Sequence, residues 1–128
     1  MNFTSKPLWT VIVGLMGASG VALGAVAAHA LSDPAAASAV ERASTYQLLH
    51  AIALLILCQF VTWPVVLARG LMLAGVIGFS GAIYAKYLLG MPALGSFAPI
   101  GGMLLIASWL VVGLAWLGRP PPSPPTSP

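Results

Sequence analysis

The sequence predicts an all-α membrane protein, a bundle of four transmembrane helices with a short outer interfacial helix before the second. Charged residues make up 5% of the 128 residues, and the mean hydropathy is +0.99. A surface in water normally carries several times that charge, with both signs mixed. The apolar residues also form four long runs, each close to the 20 or so residues that a helix needs to cross hydrocarbon. We therefore expect a bilayer to surround this chain.

The four spans are expected near residues 8–30, 46–67, 70–90 and 99–118, which together form one domain, 1–118. A transmembrane β-barrel would instead alternate apolar and polar residues with a period of two, and the apolar run from Ala51 to Leu57 does not. The small residues around His29 resemble a signal-peptide cleavage site. However, the apolar run before them is longer than a signal-peptide core, so we interpret it as the first membrane span.

The connections between the spans carry turn and capping signals. Asp33 followed by Pro34 predicts a helix start, because a carboxylate accepts from the free backbone N–H groups and proline has none to lose there. This helix is expected to lie partly in the outer interface and to continue into the second span. Arg69 and Gly70 predict a tight hairpin before the third span. Residues 119–128 form a proline-rich tail, expected to be extended and cytoplasmic.

The positions of the basic residues predict the orientation of the chain. Lys6, Arg69 and Arg119 are expected on the side shared by both termini, and Arg42 and Lys86 on the other. Both termini are therefore expected in the cytoplasm and the chain in a bacterial inner membrane. The net charge of +3 comes from scattered residues, whereas nucleic-acid binding needs a clustered basic surface. Nucleic acid is therefore not an expected partner.

Small residues recur at helical spacing in the first and third spans. Lipid supplies no hydrophobic drive between helices, so close backbone approach through small side chains must hold them together. These residues are expected to pack helices within the chain, or to mediate contact with a second copy or another membrane protein. On the first helix they are Gly20, Gly24 and Ala28, and on the third Gly70, Ala74, Gly78 and Ala82.

A cluster of polar side chains near the outer membrane face is the candidate site. Ionisable groups within a span are costly, and by default they suggest function. We expect the end of the first helix to meet the start of the second, which would bring His29 close to His50. Interhelical hydrogen bonding, a haem or quinone site, and a zinc site are the competing interpretations, and no cofactor is predicted. The proposed members are His29, Arg42, Tyr46, His50, Tyr84 and Lys86.

The sequence contains no recognisable set of catalytic residues. Asp33 and Glu41 are its only carboxylate side chains, and a helix cap and a surface charge explain both. A secondary transporter usually carries repeats and a polar or broken-helix site at the bilayer midplane, which these spans lack. We therefore predict a protein that is not an enzyme. The favoured role is an accessory subunit or assembly factor of a larger membrane complex; the alternative is binding of a lipid, quinone or haem at the polar cluster.

Four motifs occur in order along the chain: Gly24–Leu31, Tyr46–Leu54, Gly78–Tyr84, and Leu94–Gly102 followed by Ser108–Trp109. Together they resemble the YgdD-like family of small inner-membrane proteins, which is known as domain of unknown function 423 and is related to transmembrane protein 256. The resemblance covers about residues 14–117. It implies the four-helix topology but no reaction. Ala27, Ala30 and Ser108 stand where the family often has glycine.

Overall fold

The computed structural model describes residues 6–118, which form four long helices and no strand. The helix α1 covers Lys6–His29, and α2 covers Pro34–Leu57. The helix α3 consists of Trp63–Val76, a π-helical turn at Ile77–Gly81, and Ala82–Leu88. A 3₁₀ segment, Pro92–Phe97, leads into α4, Ala98–Leu117. The predicted proline-rich tail lies outside the described residues.

Three segments of this fold are long and apolar enough to cross a membrane: Pro7–His29, Trp63–Leu88 and Pro92–Leu117. The helix α2 has a similar length of 24 residues, but its first half carries Glu41 and Arg42. The structure therefore supports an all-helical membrane protein in which α2 is the polar member.

The helix α2 starts where the capping signal predicts. The two carboxylate oxygens of Asp33 accept hydrogen bonds from the backbone N–H groups of Ala35 and Ala36, each at 3.2 Å. Pro34 is the first helical residue. From there α2 continues without a break to Leu57. Within residues 6–118, no separate short helix precedes α2; the segment expected in the interface is the beginning of this continuous helix.

The hairpin predicted at Arg69 and Gly70 is wrong. The turn between α2 and α3 lies at residues 58–62, which shifts the second helix to 34–57 and the start of the third to residue 63. Pro64 explains the difference, because proline interrupts the interior of a helix but fits its first turn. Arg69 is consequently inside α3, where only 6% of its surface is exposed.

The four helices form two hairpins that meet through α2 and α3. The helix α1 packs along α2, and α4 packs along α3. Leu54 of α2 meets Val65 and Met72 of α3 in a fully buried centre. The starts of α1 and α3 lie at the same end of the bundle as the end of α4. Tryptophans occupy this end in all three helices: Trp9, Trp63 and Trp116.

Glycines allow the closest helix contacts in both hairpins. A Cβ added to Gly20 or Gly24 would come within 3 Å of Leu48 or Ser44 of α2. In the second hairpin Gly78 faces Gly101, and a Cβ on Gly101 would overlap the backbone of Gly78 and Phe79. The small residues of the predicted stripes do not all share this role: Ala82 is buried, whereas Ala28, Gly70 and Ala74 are exposed.

Gly101 provides a test of this close approach. Replacing it with alanine places a methyl group against the backbone of α3, so we expect Gly101→Ala to lower the free energy of unfolding by about 2 kcal/mol or more. Gly113→Ala is the matched control, because that position of α4 has no neighbouring atom within 4 Å and should change stability by at most about 1 kcal/mol. Denaturant unfolding in mixed micelles measures both. Equal stability of the two variants would contradict the proposed contact.

Candidate functional site

The helix α2 is tied to α1 by hydrogen bonds from two buried side chains. The amide Nε2 of Gln47 donates to the backbone carbonyl of Met16 and to the hydroxyl of Ser19, both at 2.7 Å. The hydroxyl of Ser44 donates to the carbonyl of Gly20 at 3.0 Å. Because Ser44 and Gln47 are buried, these bonds satisfy polar groups that would otherwise be unpaired at a cost in free energy.

Two further hydrogen bonds tie α2 to α3. The hydroxyl of Ser80 donates to the carbonyl of Ala43 at 2.8 Å, and the hydroxyl of Tyr84 donates to Oε1 of Gln47 at 2.9 Å. Ser80 lies within the π-helical turn of α3. Single π-helical turns of this kind inside α-helices often occur at functional sites. The π-helical turn therefore makes the junction of α2 and α3 a candidate functional region.

His50 uses one ring nitrogen within α2 and the other to connect α2 to α4. Nδ1 lies 2.6 Å from the carbonyl of Tyr46, and the indole N–H of Trp109 donates to Nε2 at 3.1 Å. An indole N–H can only donate and a carbonyl can only accept. These partners therefore assign a neutral histidine with its proton on Nδ1. Both nitrogens are engaged within the protein.

A groove of about 370 Å³ opens beside His50, between α2 and α4. The ring of Tyr46 lies 6.0 Å from that of His50 and 5.0 Å from that of Phe79, centroid to centroid. Tyr46 is 41% exposed, and within residues 6–118 its hydroxyl makes no hydrogen bond. The groove is thus largely apolar with one available donor. Its lining is Tyr46, His50, Phe79, Pro99, Gly102, Met103, Leu105, Ile106 and Trp109.

The predicted pairing of His29 with His50 is wrong. His29 is the exposed last residue of α1, and it is close to the start of α2. His50 lies 16 residues after Pro34, or about 24 Å along the helix axis. The prediction placed the start of the second membrane span near residue 46, whereas the helix that contains it, α2, begins three turns earlier. His50 is therefore deep in the bundle rather than at the outer face.

Of the other predicted members of the polar cluster, only Tyr46 lies beside His50. Tyr46 and His50 line the groove together, whereas Tyr84 reaches Gln47. Lys86 is exposed, with its ammonium 4.9 Å from the centroid of the Tyr87 ring. Arg42 is also exposed. Among residues 6–118, no group of three or more His, Cys, Asp or Glu side chains could hold a metal ion.

The sequence interpretation missed several residues that form these contacts. Gln47, Ser44, Ser80 and Trp109 were not among the proposed site residues, although each makes a hydrogen bond. A periodic signal was available on α2, because its buried residues recur at intervals of three and four. That spacing indicates one continuous packed face. The buried residues in question are Val40, Ala43, Ser44, Gln47, His50, Ala51 and Leu54.

The chain belongs to a family of membrane proteins. Residues 23–102 match the family model described as "Protein of unknown function (DUF423)", as the resemblance implied. A UPF0382 membrane protein of Staphylococcus aureus (strain bovine RF122 / ET3-1) is 36% identical over 116 residues, covering 82% of this chain and 92% of the relative. A UPF0382 membrane protein of Haemophilus influenzae is 34% identical over 111 residues, covering 82% and 90%. No solved structure matches.

Gln47 is the residue through which the network can be tested. Gln47→Leu removes three hydrogen bonds to α1 and α3. At about 0.6 kcal/mol for each bond within a membrane, we expect a loss of about 2 kcal/mol in the free energy of unfolding. Thr45→Ala is the control, because Thr45 is exposed and bonds only to Glu41 of its own helix. A loss in Gln47→Leu no larger than that in the control, measured by unfolding in micelles, would refute this assignment.

Proposed function

We propose that this chain is a four-span protein of the bacterial inner membrane that binds a lipid-soluble small molecule in the groove between α2 and α4. The observation that carries this proposal is the groove itself, which is lined by the aromatic rings of Tyr46, Phe79 and Trp109 and includes the available hydroxyl of Tyr46. We propose no catalytic activity for the chain. Its membership in a family described only as one of unknown function agrees with that reading without testing it.

The packing of α2 supports four spans. Turns of a few residues join α2 to α1 and to α3, so α2 must run antiparallel to both and cross the same layer. Gln47 and His50, two of its polar side chains, are buried and hydrogen-bonded. Hydrocarbon tolerates polar groups that are satisfied in this way. A helical bundle also favours the inner membrane, because outer-membrane proteins are characteristically β-barrels.

Four spans place both termini on the same side, and the basic residues favour the cytoplasm. We expect a reporter fused after Pro128 to be active only when the reporter works in the cytoplasm. The same reporter inserted after Gly90, between α3 and α4, should give the opposite result and serves as the internal control. Activity of the Pro128 fusion outside the cytoplasm would overturn the proposed orientation.

The depth of the groove limits the class of its ligand. His50 lies seven residues, about 10 Å, before the end of α2, and Trp109 lies eight residues, about 12 Å, before the end of α4. These two residues therefore lie at the depth of the hydrocarbon layer. The groove extends from them towards Pro99 in the first turn of α4, and Met103 and Ile106 are exposed beside it. A ligand has to enter laterally from the bilayer. This favours a lipid chain or a quinone over a charged metabolite.

The hydrogen bonds around His50 favour a quinone or lipid carbonyl over haem. Haem iron needs a free ring nitrogen, and both nitrogens of His50 are engaged. A quinone or ester carbonyl needs only a donor, which the hydroxyl of Tyr46 supplies. Apolar walls with a few placed polar groups are typical of small-molecule sites. The aromatic rings would then contact the ring or chain of the ligand.

An accessory or assembly role is the second candidate. Exposed small residues on α1 and α3 favour it, because they permit close approach of a helix from another protein. Gly14 and Ala18 are exposed, as are Ala25 and Ala28, about two and three turns after Ala18 along α1. No atom lies within 4 Å of a Cβ built on Gly14 or Gly70. In this role the chain would contact its partner through these surfaces, and the groove would be vacant.

Blocking the groove distinguishes the two roles. Gly102 lines the groove, and a Cβ there meets only Phe79 at an ordinary 3.8 Å. We therefore expect Gly102→Phe to fill the groove with the fold intact, and Gly113→Phe, on an uncrowded position of α4, to leave it open. Solvent extraction and mass spectrometry should find a stoichiometric quinone or lipid in the wild type and in Gly113→Phe, but not in Gly102→Phe.

Titration with a short-chain ubiquinone analogue, followed by quenching of tryptophan fluorescence, then measures affinity. We expect Tyr46→Phe to weaken binding about two- to tenfold, the loss of one hydrogen bond. Equal lipid and quinone content in Gly102→Phe and Gly113→Phe would exclude the groove as the binding site. A membrane protein that co-purifies with the wild type and with Gly102→Phe, but not with Ala18→Leu, would favour the accessory role.

A further inference from the structure

Arg69 is a charged side chain enclosed in the helix bundle and far from any opposite charge in the described residues. It is 6% exposed, and its guanidinium carbon lies 5.1 Å from the centroid of the Trp9 ring on α1. Its Nε is buried without a hydrogen-bond partner. A buried cation of this kind is strongly unfavourable unless an acceptor balances it.

The two acidic side chains of this sequence do not supply that acceptor. Asp33 and Glu41 are the only two acidic side chains in the sequence. Asp33 caps the start of α2, and Glu41 is exposed two turns into the same helix. Glu41 is 16 residues, about 24 Å, from the end of α2 at Leu57, which is the end nearer to Arg69. The balancing charge therefore has to come from outside the described residues, 6–118.

The geometry of Arg69 restricts where that charge can lie. Trp9 covers one face of the guanidinium, whereas the N–H donors project from its edge. Side chains of a helix point towards its N-terminus, so Arg69 points from the interior towards the first turn of α3. Trp63 at that turn is 75% exposed, and Trp9 lies at the same end of the bundle. Tryptophans at such positions mark the level of the lipid headgroups.

We propose that Arg69 and Trp9 form a binding site for the phosphate of an anionic phospholipid. The phosphate accepts from the terminal N–H groups at the edge of the guanidinium, while Trp9 covers one of its faces and excludes water. Arginine suits this role because its planar fork matches phosphate geometry. The site shares no residue with the groove of α2 and α4, so it stands independently of the proposed ligand of that groove.

Native mass spectrometry of the purified full-length chain tests this site. The probes are dioctanoyl phosphatidylglycerol, dioctanoyl phosphatidylcholine and inorganic phosphate. We expect the wild type to bind phosphatidylglycerol at least about tenfold more tightly than phosphatidylcholine. Arg69→Gln should remove about tenfold or more of that affinity, because a hydrogen bond to a charged group is lost. Arg69→Lys should retain part of it, since the charge remains without the fork.

Arg42→Gln is the matched control, because Arg42 is an exposed arginine on α2 and its loss should leave the affinity unchanged. If Arg69→Gln does not fold, Arg69→Lys takes its place in the comparison with Arg42→Gln, because it keeps the charge and should still bind phosphatidylglycerol less tightly than the wild type. Equal affinity for the two lipids, or equal losses in Arg69→Gln and Arg42→Gln, would overturn the proposal. Binding of inorganic phosphate as tight as that of phosphatidylglycerol would overturn the assignment to a phospholipid.

Discussion

The pairing of polar groups on α2 is the constraint on which the rest of this structure depends. Ser44, Gln47 and His50 are buried, so they need hydrogen-bond partners on neighbouring helices. Ser44 bonds to α1, Gln47 bonds to both α1 and α3, and His50 bonds to α4. Each bond is worth less than about 1 kcal/mol. Their joint effect is to set the rotation of α2 and the register of the three helices around it.

Close backbone contact supplies what these hydrogen bonds cannot. Gly78 and Gly101 bring α3 and α4 together at the π-helical turn, where the extra residue of the turn also directs Ser80 towards α2. Phe79 lies between these two contacts and faces Tyr46. The groove is therefore a consequence of the packing: α2 and α4 are both held against α3, but aromatic side chains keep them apart from each other.

The candidate site was predictable only in part. Tyr46 and His50 share a helical face by their spacing of four, and they do line one groove. The pairing of His50 with His29 failed because the second membrane span was expected to start near residue 46. The cap formed by Asp33 and Pro34 starts α2 three turns earlier, which places His50 deep in the bundle. Trp109 could not be paired with His50 from sequence, because 59 residues separate them and only the packing of α4 brings them together.

The sequence by itself determined the solvent, the helical class and the family of this protein, because length of apolar runs, scarcity of charge and local motifs are properties of composition and order. It also determined the start of α2, since a cap is a contact between near neighbours. Only the tertiary structure decided that the second turn lies before Trp63 and that Arg69 is enclosed against Trp9. It also decided that both ring nitrogens of His50 are hydrogen-bonded, whereas the hydroxyl of Tyr46 is available. Those outcomes depend on contacts between helices far apart in sequence, whose register local propensity does not specify.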